Sequence, residues 1–301
     1  MEGVLILAGP TCSGKSELAV ALAERFGAEI VGADSRQIYR GMAIGTAAPN
    51  ADQRARVPHH LVEFLDPRER YNAARYASDA LAAIAAIGAR GKRAIVVGGT
   101  GFYVRALAGD VALAAAYDAP LRARLACEAH VHPVPVLHAW LAALDPARAA
   151  ALAPADAYRI VRALEIRLAG RESGALGRGV PGKPQPSLRA ARIAFAKVVL
   201  DVPVPLLDER IARRVDAMLA AGFVEEAGRI GAGAVAADAV GYPHVFAYLA
   251  GFTSAAELRA TLARATRRYA KRQRTWFRSE ANAYWSAPDD VAAIASAALG
   301  W

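Results

Sequence analysis

The chain has 301 residues, 55% of them hydrophobic, with a net charge of +9 and an isoelectric point near 9.8. That length allows one well-filled core plus a smaller second lobe, and no apolar run approaches the ~20 residues that a membrane span needs. Two cysteines, Cys12 and Cys127, exclude a disulfide framework. With no basic leader or small-residue cleavage site before the first strand, the expected home is a reducing cytosol.

Residues 4–8, VLILA, read as a short buried strand, followed by GPTCSGKS over 9–16 and an amphipathic helix over 16–26. AEIVGADS is a second strand ending at Asp34, and KRAIVVGGTG a third ending at Gly98. Between them, 73–89 has helical spacing closed by Gly91. Strand, helix and strand at this rhythm predict a parallel sheet with helices on both faces and ligands at the carboxyl ends of the strands. Residues 120–170 are helical in pattern, with breaks at 132–135 and Pro154; 171–192, rich in Gly, Pro and Arg, predict a flexible loop. IAFAKVVLDV returns as a strand, PLLDERIARRVDAMLAAGF is a helix ending near Gly222, and the last third is helical to about Glu280. The reading is α/β: a P-loop type parallel sheet flanked by helices over 1–119 and 193–301, with a smaller helical insertion and loop over 120–192.

The loop Gly9, Pro10, Thr11, Cys12, Ser13, Gly14, Lys15, Ser16 sits between a strand and a helix, where backbone N–H groups and the helix start cradle phosphate. Lys15 adds a mobile positive charge, and Ser16 a hydroxyl for Mg²⁺. An ordinary P-loop NTPase also needs an acid on a neighbouring strand. The third strand ends IVVGGTG and carries none; the nearest acid at a strand end is Asp34. That disfavours a motor or switch ATPase.

In order along the chain stand GPTCSGKS, ADSRQIYRGMAIGTAAP, VPHHLVEFLDP, VVGGTGFYVRAL, YRIVRALEI, AGFVEE, VGY and YAKRQRTWFR. With these the sequence resembles the tRNA dimethylallyltransferases, the bacterial-type isopentenylpyrophosphate transferase family. The resemblance covers most of the chain, and DSRQIYRGMAIGTAAP and KRQRTWFR are highly specific. It implies transfer of a dimethylallyl group from dimethylallyl diphosphate to the N6 amine of the adenosine at tRNA position 37, beside the anticodon. The loop then holds the diphosphate of the prenyl donor, which accounts for the missing hydrolytic acid. The exocyclic amine of adenine is a poor nucleophile, so a base must take its proton as the bond forms, and Asp34 is the candidate. Lys15, Mg²⁺ and an arginine would stabilise the departing diphosphate; the resemblance points to Arg214 as this clamp, with Arg210 one helical turn away. It also places Thr11 towards the diphosphate and Thr100 towards the RNA.

A base in a stacked anticodon loop must be flipped out to react. The resemblance assigns Asp34, Ser35, Arg36 and Gln37 to the target base. It assigns Arg122, Tyr158, Arg159, Ile160, Val161, Arg162, Gly241 and Tyr242 to further tRNA contacts. Residues 252–285 hold eight Lys/Arg against two acids, six of the nine surplus charges. Within 258–278, Leu258, Leu262, Ala265, Tyr269 and Trp276 fall on one helical face, expected to be core. The other faces carry Arg264, Arg267, Arg268, Lys271, Arg274 and Arg278, candidates for backbone phosphates. Lys271, Arg272, Gln273, Arg274 and Arg278 complete the expected tRNA set. Two positions depart from the family pattern: Pro243 and His244 replace the basic residue and Gln usual after VGY, and Tyr158 replaces a Gln. Proline removes a backbone donor and fixes φ, which puts the tRNA contacts of that turn in question. The implied partners are the tRNA anticodon stem-loop and dimethylallyl diphosphate, with Mg²⁺, for a cytoplasmic monomer without membrane contact.

Three rivals stay open at this point. A P-loop small-molecule kinase explains the loop but not DSRQIYRGM or the cationic helix. A prenyltransferase of free adenine nucleotides needs no RNA-binding helix. An RNA-binding module without chemistry has no use for Lys15, Ser16 and Asp34 together.

Overall fold

The structure is a computed structural model that describes residues 3–111, 113, 119–169 and 185–301. Its described residues divide into two compact units, one of 1–108 with 186–301 and one of 109–185. These boundaries fall earlier in the chain than the 119/120 and 192/193 read from the sequence.

The first unit is built on six parallel strands: β1 (Val4–Ala8), β2 (Ala28–Gly32), β3 (His59–His60), β4 (Arg93–Gly98), β5 (Phe195–Leu200) and β6 (Ala283–Ser286). Their order across the sheet is β3-β2-β4-β1-β5-β6. β1 and β2 are buried along their whole length, as the unbroken apolar run VLILA requires of a strand covered on both faces. Leu5, Leu7, Ile30, Ile95, Val97, Val198 and Leu200 pack on one face against the helices Lys15–Phe26 and Val291–Leu299. The helices Ala73–Ala89 and Gly101–Ala108 lie against the other. β1 is flanked by β4, reached through β2, and by β5, reached after the second unit. The strand order therefore reverses at β1, and the crevice at a reversal is where a doubly wound sheet binds ligands.

A second core of the same unit joins Ile38 and Met42 to Ile211, Val215, Phe223, Tyr242, Leu258 and Leu262. It binds together the helices Val204–Ala220, Phe223–Ile230, Tyr242–Leu249 and Ala255–Arg278. The second unit packs the helices Ala119–Val131, Val134–Leu144, Pro146–Ala150 and Ala157–Leu168 around Leu125, Leu137, Leu141, Ile160 and Leu164. The expected breaks are present: Pro135 opens one helix in its first turn, and Pro154 falls between two others. The predicted loop of 171–192 lies outside the described residues for 171–184.

Three elements differ from the sequence reading. β3 was not expected, being two residues long. The elements beyond Glu280, β6 and the helix Val291–Leu299, were not read from the sequence. The β2 strand stops at Gly32, so Asp34 stands in the loop beyond it. No described helix is long and apolar enough to cross a membrane.

At the carboxyl end of the sheet the chain leaving β2 passes directly over the end of β4. Ala33 donates its N–H to Val97 at 2.7 Å and accepts from the Thr100 N–H at 3.2 Å. A Cβ on Gly98 would stand 2.0 Å from the Ala33 carbonyl oxygen. Gly98→Ala must push two buried backbones apart, and is expected to cost at least about 2 kcal/mol of unfolding free energy in denaturant titration.

Candidate active site

The residues of GPTCSGKS leave the end of β1 at the point of reversal. Gly14 has φ +89°, a left-handed conformation that strains any residue with a Cβ. The helix Lys15–Phe26 starts there, with first-turn N–H groups that have no intrahelical acceptor. Lys15 Nζ donates back to the Pro10 carbonyl at 3.1 Å. From the facing helix Val204–Ala220, Arg214 donates to Thr11 Oγ1 at 2.9 Å, and Arg210 to the Ser13 carbonyl at 3.2 Å. Arg214 Nε is buried with no acceptor among the described residues. A donor so placed fits an anionic ligand. Arg210, only noted from the sequence, thus joins Lys15 and Arg214 as a third cation on the loop; its i, i+4 spacing to Arg214 was the available signal.

Across the cleft, Asp34 Oδ1 accepts the N–H of Arg36 at 2.9 Å, closing a turn. Its other oxygen has no hydrogen bond among the described residues. The turn is held from β4: the Ser35 N–H donates to Thr100 Oγ1 at 2.9 Å. Gln37 Nε2 donates to the Thr46 and Ala47 carbonyls at 3.1 and 2.8 Å, bracing the opposite wall. Arg36 pairs with Asp238 at 2.8 Å. Asp34, Ser35, Arg36, Gln37, Thr46 and Ala47 line a cleft of about 590 Å³ that Thr11, Lys15, Ser16, Arg214 and Gln273 also line.

The wall at Gly45–Ala48 rests on a carboxylate that the sequence reading did not single out. Glu226, 2% exposed, accepts the N–H groups of Ile44 and Gly45 at 2.8 Å each and the Tyr242 hydroxyl at 2.7 Å. AGFVEE and VGY are therefore building material for the cleft. Gly241 lines it, while Tyr242 is fully buried and meets no solvent. Pro243 stands in the first turn of its helix, where an N–H would have no intrahelical acceptor, so the proline costs no backbone bond. The His244 ring is held below the usual imidazole range by burial, then by Arg268 and Arg264.

The basic helix Ala255–Arg278 divides by face. Its buried stripe is Leu258, Leu262, Ala270, Gln273 and Phe277. Ala265, Tyr269 and Trp276, expected in the core, are only half-buried beside it. Arg259, Arg267 and Arg274 reach Asp216, Asp208 and Asp201 at 2.5, 3.2 and 3.8 Å. Arg264, Arg268, Lys271 and Arg278 form an exposed stripe without a carboxylate partner among the described residues, and Arg272 stands over the Tyr269 ring at the cleft. The second unit holds the remaining expected contacts. There Tyr158 and Arg159 are exposed, Val161 is half-buried, and Ile160 is core. Arg122 and Arg162 face Glu165, 4.0 and 2.5 Å away.

A phosphate-type loop gripped by three cations, facing a carboxylate with a free oxygen and lacking an acid on β4, defines a P-loop type α/β protein whose site suits an anionic phosphate group without the usual hydrolytic acid. Family models described as IPP transferase and isopentenyl transferase match residues 37–280 and 2–69. The chain is 46% identical over 289 residues to a tRNA dimethylallyltransferase of Anaeromyxobacter dehalogenans (strain 2CP-C), covering 95% of each. It is 46% identical over 295 residues to that of Halorhodospira halophila (strain DSM 244 / SL1), covering 95% of this chain and 93% of the relative. Among solved structures it resembles the full-length tRNA isopentenylpyrophosphate transferase from Bacillus halodurans, with 32% identity, TM-score 0.71, and coverage of 100% and 97%. A eukaryotic dimethylallyltransferase acting on tRNA matches with 25% identity, TM-score 0.73, and coverage of 92% and 70%. The chain belongs to the IPP transferase family.

Burial pulls the Lys15 ammonium down to about 8; Asp34 opposes this and Arg214 adds to it. The ammonium is therefore lost as pH rises through about 8, while a bound polyphosphate favours it and raises its pKa. Inorganic pyrophosphate, titrated without divalent metal near about pH 8.5, is expected to take up a proton on binding and to weaken by up to roughly tenfold per pH unit above that. Calorimetry in buffers of different ionisation enthalpy reads the uptake, and its persistence in Lys15→Met would assign it elsewhere.

Proposed function

We propose that the protein transfers the dimethylallyl group of dimethylallyl diphosphate to the N6 amine of the adenosine at position 37 of tRNA, releasing diphosphate. The observation that carries this reading is a single cleft lined by Lys15 and Arg214 of the phosphate-loop side and by Asp34 of the facing turn, with Arg210 bonded to the back of the loop. The N6 nitrogen forms a bond to C1 of the prenyl group as the C1–O bond breaks, and the electron pair of that bond leaves on the diphosphate. Asp34 accepts the N6 proton. Its Oδ1 stays engaged with Arg36, which keeps the carboxylate aimed while Oδ2 works. Lys15, Arg214 and the first-turn N–H groups hold the charge that develops on the leaving group.

Mg²⁺ suits the oxygen donors present. Among the described residues no three His, Cys, Asp or Glu gather as a metal cage, so the ion would be held by the substrate's phosphates together with the Ser16 hydroxyl. When bound it supplies further charge neutralisation at the diphosphate. The proposed setting is a monomer in the cytoplasm.

Incubating the protein with unmodified tRNA, dimethylallyl diphosphate and Mg²⁺ is expected to add one prenyl mass to a single adenosine; release of inorganic phosphate from ATP without such a gain would overturn the reading. Asp34→Asn, which keeps the turn but removes the base, is expected to lower kcat by roughly 10²–10⁴-fold with tRNA still bound. Removing both Arg268 and Lys271 is expected to weaken tRNA binding and to lower the slope of log affinity against log salt by up to ~1 per lost phosphate contact. Arg267→Ala, already committed to Asp208, is expected to leave that slope alone.

A further inference from the structure

One side-chain amide joins the two backbone segments that carry opposite sides of the proposed reaction. Gln273 Oε1 accepts the Thr11 N–H at 2.8 Å, and its Nε2 donates to the Gly99 carbonyl at 2.9 Å. The residue is 5% exposed, so water is not at hand to replace either bond. Thr11 carries the hydroxyl that Arg214 grips. Gly99 precedes Thr100, whose hydroxyl holds Ser35 next to Asp34. The approach leaves no slack: a Cβ on Gly99 would stand 2.2 Å from Gln273 Nε2, and one on Gly101 2.1 Å from the Trp276 ring.

We propose that Gln273 is a positioning residue that sets the diphosphate loop at a fixed distance from the Asp34–Thr100 side, and so aligns the prenyl carbon with the attacking amine. The inference rests on the reaction proposed above. It reassigns a residue that the sequence pattern placed among the RNA contacts. An amide is a neutral side chain that offers an acceptor to an N–H from one atom and a donor to a carbonyl from another. Glutamate matches this pattern only when protonated, and leucine never does.

The test compares prenyl transfer to unmodified tRNA by wild type, Gln273→Glu and Gln273→Leu, with rates expressed per folded molecule. The wild-type rate tests the reaction; the ratios test Gln273. Lys15, Asp34 and Arg214 line the same cleft and affect both proteins, so each variant is read against wild type at the same pH. Gln273→Leu is expected to lose at least about tenfold in kcat with KM for tRNA within about twofold, and to bind inorganic pyrophosphate at least about threefold more weakly. Gln273→Glu is expected to show a similar loss near about pH 8 and to recover relative to wild type towards about pH 6, since burial favours its protonated form. A Gln273→Leu enzyme with wild-type kcat per folded molecule and wild-type pyrophosphate affinity would reduce Gln273 to a core hydrogen bond. A loss confined to KM for tRNA would return it to the RNA contacts.

Discussion

The site depends on the contact between Ala33 and Gly98, where the backbone leaving β2 lies on the end of β4 without room for one methyl group. This contact fixes two features at once. It removes the side chain from the strand end where a P-loop hydrolase keeps its acid. It also carries the chain of β2 across the crevice, so that Asp34 enters the cleft one residue later. The acid has thus moved from the strand beside the phosphate loop to a turn facing it. In the first place an acid manages water around a metal; in the second it can meet a proton arriving from outside the loop. The same glycine-rich end lets Thr100 reach Ser35 and hold the turn.

Around the loop the electrostatics are deliberately unbalanced. Lys15, Arg210 and Arg214 approach a helix start, itself positive, while the carboxylates lining the cleft are Asp34, Glu17 in the first turn of that helix, and Asp238, which is paired with Arg36. The strain shows in Lys15, whose ammonium is held well below its ordinary value. In the reaction proposed above, a diphosphate end group would relieve that strain, and relieve it further as charge accumulates on the departing diphosphate. This is stabilisation that grows along the reaction, the property a catalyst needs.

How legible was this in the sequence? β1, its loop and the following helix were plain, because an apolar run, a glycine-spaced loop and a 3.6-residue pattern are all local signals. β3 and β6 were not, since two to four residues at the sheet edges carry too little periodicity to announce a strand. Residue identity also does not reveal direction. Gln273 and Tyr242 stand in motifs associated with RNA, yet both face inward. Gln273 is a polar member of a buried stripe, so hydropathy alone assigned that face to Ala265, Tyr269 and Trp276 instead. Arg267 and Arg274 look like any phosphate-binding arginine until Asp208, on the helix Val204–Ala220, and Asp201, just before it, are seen beside them.

The helix Ala255–Arg278 shows why those arginines belong to the site even without touching a ligand. Its pairs with Asp216, Asp208 and Asp201 run antiparallel along the helix Val204–Ala220 and its lead-in. Each is at least partly exposed, and exposed pairs add little stability. The adhesion comes from Leu258, Leu262 and Phe277. Three pairs spaced at seven or eight residues instead select one rotation of the helix about its axis, because a turn of one residue, about 100°, would break them together. That rotation aims Gln273 between the loop and Gly99 and leaves Arg264, Arg268, Lys271 and Arg278 outward. It also fixes Val204–Ala220, which presents Arg210 and Arg214 to the loop GPTCSGKS. A weak ladder on the surface thereby keeps the proposed leaving-group clamp, the internal amide and the outer basic stripe in register with one another.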